Sequence, residues 1–205
     1  MVQKTIDYYL APQSPWTYLG HARLAAIAHK HGAHIRVLPM DLGKIFPLSG
    51  GLPLPKRAPQ RQAYRLVDLA RHRDFLKLPL HVQPEFFPVA GDPAARVIVA
   101  VREKDGQEAA MQFAGKVLAG VWADQRNIAD ADTLKLMLTE CGLSVARYDE
   151  SLVESIQTLY DADTQSAIDA QVYGSPSYVV KNSDGEGEVF WGQDRLELLD
   201  WRLSQ

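Results

Sequence analysis

The chain has 205 residues, 46% of them hydrophobic and 23% charged, which is enough for one domain, or one domain carrying a large insertion, around a substantial core. A net charge of −3 gives no electrostatic case for nucleic acid or an anionic membrane as partner. The single cysteine, Cys141, excludes an intramolecular disulfide and argues against a cysteine-based zinc site.

The segment MVQKTIDYYL enters a strand pattern at once, without an apolar signal region, and no apolar run is long enough to cross a bilayer. The expectation is a cytoplasmic protein. Residues Thr5 to Leu10 are β-branched and aromatic enough for a buried strand. A helix follows over Pro15 to Lys30, with Leu19, Ala22 and Ala26 on one stripe widened by Ile27, and Gly32 as terminator. His34 to Met40 reads as a second strand, completing a βαβ unit. Phe46 to Pro59 is a Pro/Gly-rich loop, and loops of that length inside a compact domain are often functional.

From Pro59 to about Asp169 the pattern is helical throughout. Helices are expected over Gln60–Leu76, Pro93–Lys104, Gln107–Ala123, Ala131–Cys141 and Asp149–Ala170. Strands return at Ser177–Lys181 and Glu188–Trp191, which read as a hairpin around a Gly-rich turn at Asn182–Gly187. A short helix over Gln193–Leu203 ends the pattern. The order βαβ, helices, ββα fits an α/β protein with a thioredoxin-like fold and a large all-helical insertion. The expected division is a discontinuous thioredoxin-like domain, residues 1–45 and 171–205, around an insertion over 46–170.

Ser14-Pro15-Trp16-Thr17 opens the first helix. Two cysteines bracketing such a four-residue stretch would make a redox motif, and here a serine and a threonine stand in their places. Ser14 is a good N-cap with Pro15 at the first helical position, and that local role is sufficient by itself. The same position also suits an anion, because helix N-termini present free N–H groups and partial positive charge. If no protein thiol is there, the anion can be a ligand's thiolate. Lowering a thiol pKa by one or two units takes about 1.4–2.8 kcal/mol, the size of one charge-assisted hydrogen bond plus a helix terminus.

The second motif is Gly174-Ser175-Pro176, just before a returning strand. A proline there either marks a strand edge or is cis. In thioredoxin-like folds a cis-proline precedes the third strand and faces the first helix. That would let the Ser175 backbone pair with an extended peptide ligand.

Other residues are less specific. Arg57, Arg61 and Arg65 share a helical face, read either as a solvated face with acidic partners or as a positive rim for a carboxylate. The six histidines have no ligand spacing, and no metal is expected. Cys141 is a small apolar filler. Trp16, Tyr18, Phe86, Phe87 and Trp122 are mostly core, with Trp16 best placed to meet a substrate.

Ser14-Pro15-Trp16, Gly174-Ser175-Pro176, Trp191-Gly192-Gln193-Asp194-Arg195-Leu196 and Val121-Trp122 with Asn127-Ile128 and Asp130 together resemble 2-hydroxychromene-2-carboxylate isomerases. These belong with kappa-class glutathione transferases in the DsbA-like branch of the thioredoxin superfamily. The resemblance implies glutathione as cofactor. It places Ser14 on the glutathione sulfur, Ser175 before cis-Pro176 on the cysteinyl backbone, Gln193 and Asp194 at the γ-glutamyl end, and Arg61 near the tripeptide. It also implies a homodimer and a small aromatic or electrophilic substrate. Gln193 and Asp194 have a local alternative, as caps of the last helix. Two departures stand out: Leu52 where an Asn is usual, removing a side-chain contact, and Asn127 where an Asp is usual.

The expected activity is a glutathione-dependent isomerisation. The thiolate adds reversibly to an unsaturated aromatic 2-oxo acid. The alternatives are a kappa-class-like transferase and a non-catalytic peptide-binding module of the same fold. A disulfide oxidoreductase is opposed by the missing cysteines.

Overall fold

The computed structural model describes residues 4–181 and 185–205. A four-stranded sheet runs in the order β2-β1-β3-β4, where β1 is Thr5–Leu10, β2 His34–Pro39, β3 Ser177–Lys181 and β4 Gly187–Trp191. β1 pairs parallel with β2 and antiparallel with β3, and β3 pairs antiparallel with β4. All four strands lie where the alternation put them to within a residue. Of the expected hairpin turn, Asn182, Ser183 and Asp184 lie outside the described residues.

Period-two alternation sorts the sheet's side chains between two layers. Ile6, Tyr8, Leu10, Val37, Tyr178 and Val180 face one core, shared with α1 (Pro15–His31), α4 (Asp92–Asp105), α5 (Gln107–Trp122) and α9 (Leu196–Leu203). Tyr9, Leu38 and Val179 face the other, against Ile45 of α2 (Leu42–Ser49) and Ala167 of α8 (Glu154–Asp169). α3 (Pro59–Leu76), α6 (Ala131–Glu140) and α7 (Ala146–Glu150) complete the α-helices among the described residues. No helix of the described residues is long and apolar enough to cross a membrane.

Three expectations need correction. The loop read from Phe46 contains the end of a helix: Asp41 caps α2 by accepting from the Gly43 N–H at 2.7 Å, and Gly50 closes it with a left-handed φ of 74°. Pro47 and the glycines masked this element, although both caps are visible in the sequence. The helix expected over Asp149–Ala170 is two helices. Ser151 donates its hydroxyl to the Tyr148 carbonyl at 2.6 Å, a local bond of the kind that competes with helix, and Val153 is extended.

The buried face of α1 is also different. Thr17, Gly20, Leu24 and Ala28 are buried, whereas Ala22 and Ala26 are exposed. A Cβ on Gly20 would come within 2.7 Å of the Tyr178 hydroxyl and 2.9 Å of the Gln193 Cβ. The helix is therefore turned so that its smallest side meets β3 and the turn after β4.

Candidate active site

The site lies at the N-terminus of α1, beside the turn that precedes β3. Ser14 caps α1 in an extended conformation, and its Oγ accepts from the Thr17 N–H at 3.3 Å. The same hydroxyl donates to the Ser175 carbonyl at 3.3 Å. Both contacts are long, so the hydroxyl gives up little by turning elsewhere. The first turn of α1 uses most of its donors internally: Pro15 has none, Thr17 N–H goes to Ser14 Oγ, and Tyr18 N–H to Ser14 O at 3.1 Å. Trp16 N–H is left without a partner among the described residues.

The Ser175-Pro176 peptide is cis. The Ser175 side chain points into the protein, accepting from the Ala11 N–H at 2.8 Å and lying 2.8 Å from Thr17 Oγ1. Thr17, at the place of a second redox cysteine, is thus a fully buried tie between α1 and the proline turn. With its side chain committed inward, Ser175 offers the site its backbone. Among the described residues nothing accepts from its N–H. Pro176 fixes the next turn, its carbonyl accepting from Gly192 N–H at 2.9 Å.

Gln193 does not cap the last helix. Its side chain is buried, its Oε1 accepts from Arg23 Nη1 at 2.7 Å, and its Nε2 lies 3.2 Å from His72 Nδ1. The neighbouring Asp194 is exposed and pairs with Arg195 at 2.8 Å, a contact worth little in water. Arg23, His72, Phe75, Gln193, Asp194 and Glu197 surround a cavity of about 130 Å³ with two carboxylates at its rim. Sequence reasoning missed Arg23 and His72. His72 also meets Trp16 edge-on, with ring centroids 5.7 Å apart, linking α3 to the start of α1. Its position seven residues after Arg65, hence on the same helical face, was the available signal.

The three arginines of α3's entry differ from a uniform solvated face with acidic partners. Arg61 is exposed; Arg57 donates to the Leu52 carbonyl at 2.8 Å. Arg65 is buried, lies over Phe87 and Trp122, and has no carboxylate partner among the described residues. Burial, and then the Arg57 charge, lower its pKa to about 10. Leu52 is exposed and Asn127 accepts from Ala129 N–H at 3.0 Å. Of the aromatics, Trp122 is fully buried, Phe87 partly so and Phe86 exposed.

The structure brings Ser14, Ser175 and Pro176 together as one unit and sets Gln193 and Asp194 at a neighbouring cavity; Arg61 sits on the outer side of α3. What the unit offers chemically is a hydroxyl, two free backbone N–H groups and a helix terminus, a set suited to a soft anion next to an extended peptide.

A family description, the DSBA-like thioredoxin domain, matches residues 5–204. The kappa 1 glutathione S-transferase of Caenorhabditis elegans is 27% identical over 213 residues, spanning 98% of this chain and 91% of the relative. A 2-hydroxychromene-2-carboxylate isomerase of Pseudomonas putida is 27% identical over 204 residues, spanning 98% and 94%. A solved 2-hydroxychromene-2-carboxylate isomerase superposes with a TM-score of 0.80 over 98% of this chain and 94% of that one, at 24% identity, a likeness of fold. With a redox-motif position filled by serine and threonine, a cis-proline opposite it, and a family match over nearly every residue, the chain belongs to the DsbA-like thioredoxin family.

Proposed function

We propose that the chain is a glutathione-dependent isomerase of the 2-hydroxychromene-2-carboxylate type. The observation that carries this reading is the Ser14 hydroxyl, loosely bonded at the N-terminus of α1 and facing the cis Ser175-Pro176 turn. The residues fit glutathione. Ser14 and Trp16 N–H would hold the sulfur, and the free Ser175 N–H would take the cysteinyl carbonyl. Asp194, with Glu197 nearby, would meet the ammonium of the γ-glutamyl end. Gln193 is fixed by Arg23 and His72 at that end, and Arg61, three residues before Tyr64, is the basic residue that would approach the tripeptide.

Bound glutathione supplies a thiolate nucleophile for reversible addition to the double bond of an unsaturated aromatic 2-oxo acid. Ser14 donates its O–H to the sulfur, exchanging a weak contact to a neutral carbonyl for a stronger one to an anion. The α1 terminus adds its partial positive charge. Together these supply about 1.4–2.8 kcal/mol, enough to lower the thiol pKa by one or two units. Thr17 and the Ser175 hydroxyl keep the two halves of the site in register and stay out of the chemistry.

A transferase of the kappa type uses the same residues, and the equal 27% identity to members of both activities supports keeping it as the second reading. One experiment separates the two: turnover of an unsaturated aromatic 2-oxo acid with the free-thiol content followed in parallel. Isomerisation leaves glutathione undiminished, whereas conjugation consumes one equivalent per product. Absence of both, with no glutathione binding at millimolar concentration, would sink the proposal in favour of a peptide-binding module. The family resemblance also carries a homodimer, which light scattering at micromolar concentration tests, and a cytoplasmic location.

A further inference from the structure

The cavity next to the Ser14 site holds opposite charges that do not meet. Arg23, half-buried on α1, uses one nitrogen on Gln193: Nη1 donates to the side-chain oxygen at 2.7 Å and to the carbonyl at 3.2 Å. Its other nitrogens have no partner among the described residues, and no carboxylate there pairs with it. Glu197, in the first turn of α9, has neither a hydrogen bond nor an ion pair among the described residues. Both side chains line the same cavity of about 130 Å³. Asp194 shares its rim, and its partner among the described residues is Arg195, at 2.8 Å.

The fold holds this gap open. Gln193 is 2% exposed, its Nε2 meets His72, and its Cβ packs on Gly20, so the Arg23 fork is tied to a fixed turn and reaches a carboxylate only by giving up both bonds. Leu196 and Leu199 are fully buried, which fixes how α9 presents Glu197. A helix terminus alone favours a carboxylate in the first turn, but that local role calls for no unpaired arginine across a cavity. An anion entering by itself would meet two carboxylates, and a cation by itself would meet the guanidinium. Only a ligand that carries both charges close together gains from both walls. Phe75 and Leu76 supply apolar surface for a short methylene stem.

We infer that Arg23 and Glu197 form a two-ended receptor for a free α-amino-acid head group, with the carboxylate on the Arg23 fork and the ammonium on Glu197 and Asp194. That head group has two sources, the γ-glutamyl end of a thiol peptide held at Ser14 or a free amino acid. For the first source the inference rests on the glutathione reading above. It makes Arg23 and Glu197 specificity-determining residues, distinct from the sulfur-activating Ser14, that reject thiols without an intact γ-glutamyl head. Arg23 follows Ser14 by nine residues, about 14 Å along α1, and helical side chains lean back toward the N-terminus, which brings its fork toward the site.

The test is calorimetry on the full chain with glutathione, with 4-aminobutyryl-cysteinylglycine, which lacks the head carboxylate, with glutaryl-cysteinylglycine, which lacks the head ammonium, and with free L-glutamate. Glutathione is expected to bind about tenfold more tightly than either truncated peptide. Arg23→Gln should bring glutathione and the aminobutyryl peptide within about twofold of each other while the preference over the glutaryl peptide stays. Glu197→Gln should lower the preference over the glutaryl peptide by a smaller factor, about threefold, because Asp194 remains. A merely loosened turn would weaken all three peptides together and level neither ratio. Equal binding of the three peptides by the wild type would overturn the inference without recourse to any variant, and so would a carboxylate preference that survives Arg23→Gln in a folded protein. Glutamate separates the two sources. Glutamate that binds in an Arg23-dependent way to a chain that ignores glutathione assigns the receptor to free amino acids and removes the glutathione reading. Glutathione binding without a head-group preference removes the receptor and keeps that reading, and no binding of either at millimolar concentration removes both.

Discussion

The two walls of the site are built in opposite ways. On the α1 wall the hydroxyls are bonded to one another and to the backbone: Ser14 loosely to Thr17 and Ser175, Thr17 firmly to Ser175, and Ser175 firmly to Ala11. These bonds are neutral and buried. On the α3 wall the charges are uncommitted, with Arg65 buried and unpaired and Arg61 exposed. The first wall is pre-organised around one hydroxyl; the second leaves a buried guanidinium without a carboxylate among the described residues. A scaffold that needed only to fold would pair or remove the Arg65 charge, because an unpaired buried cation costs stability.

That contrast can be broken in graded steps. The largest stability effect is expected from a group behind the α1 wall. His21 is held between the Tyr8 hydroxyl, at 3.1 Å, and the Met111 carbonyl, at 3.0 Å, and burial lowers its pKa to about 4. An unfolded histidine takes its proton near 6.5, so between those values the unfolded chain binds more protons than the folded one. The His21 contribution to stability should therefore fall by on the order of 3 kcal/mol as pH falls from about 6.5 to 4, opposed by a gain from Asp163, whose carboxyl burial raises to about 6. The difference in denaturant midpoint between wild type and His21→Gln, measured across that range, should shift against wild type as pH falls; a difference that does not change with pH would show that His21 makes no such contribution.

Next comes Ser14→Ala. Removing a hydrogen bond to a charged partner should cut glutathione-dependent turnover by about 10- to 100-fold. Loss of the cap should lower stability by only about 1 kcal/mol. Unfolding and kinetics measured on the same preparation separate the two, and a large stability loss with unchanged turnover would assign Ser14 to the fold alone.

Thr17→Val tests the tie between α1 and the proline turn. It should cost about 1–2 kcal/mol, seen as a lowered melting temperature, while any loss of turnover follows from misplacement rather than from a missing donor. Full retention of stability would mean that the Ala11 bond alone secures Ser175. The smallest effect is expected at Asp194, whose carboxylate is half exposed: Asp194→Asn should weaken glutathione about two- to fivefold, and less in high salt. A change insensitive to salt would argue that Asp194 acts by shaping the turn.

The sequence carried more of the first wall than of the second. Strand boundaries, the Ser14 cap and the terminator Gly32 follow from local rules, because a period of two and a capping hydroxyl act over a few residues. Ser14 was readable for the same reason, whereas Ser175 and cis-Pro176 were readable only from the place of their turn in a thioredoxin-like order of elements. The rotation of α1 was not, since Ala22 and Ala26 are small enough to sit on either face, and only the approach of Tyr178 and Gln193 to Gly20 decides between them. Gln193 looked like a cap until Arg23 and His72 claimed its amide, two partners more than a hundred residues away in the chain. Arg65 could not be told from Arg61 by spacing alone. What separates them is tertiary: Phe87 and Trp122 close over one and leave the other in water.

The central claim is that a helix terminus and a serine hydroxyl hold a borrowed thiol as its anion. The most direct measurement is the ultraviolet thiolate absorbance of bound glutathione against pH, in wild type and in Ser14→Ala. The bound thiol pKa is expected one or two units below that of free glutathione in wild type, relaxing toward the free value in Ser14→Ala. A bound thiol that titrates like free glutathione in both proteins would contradict it.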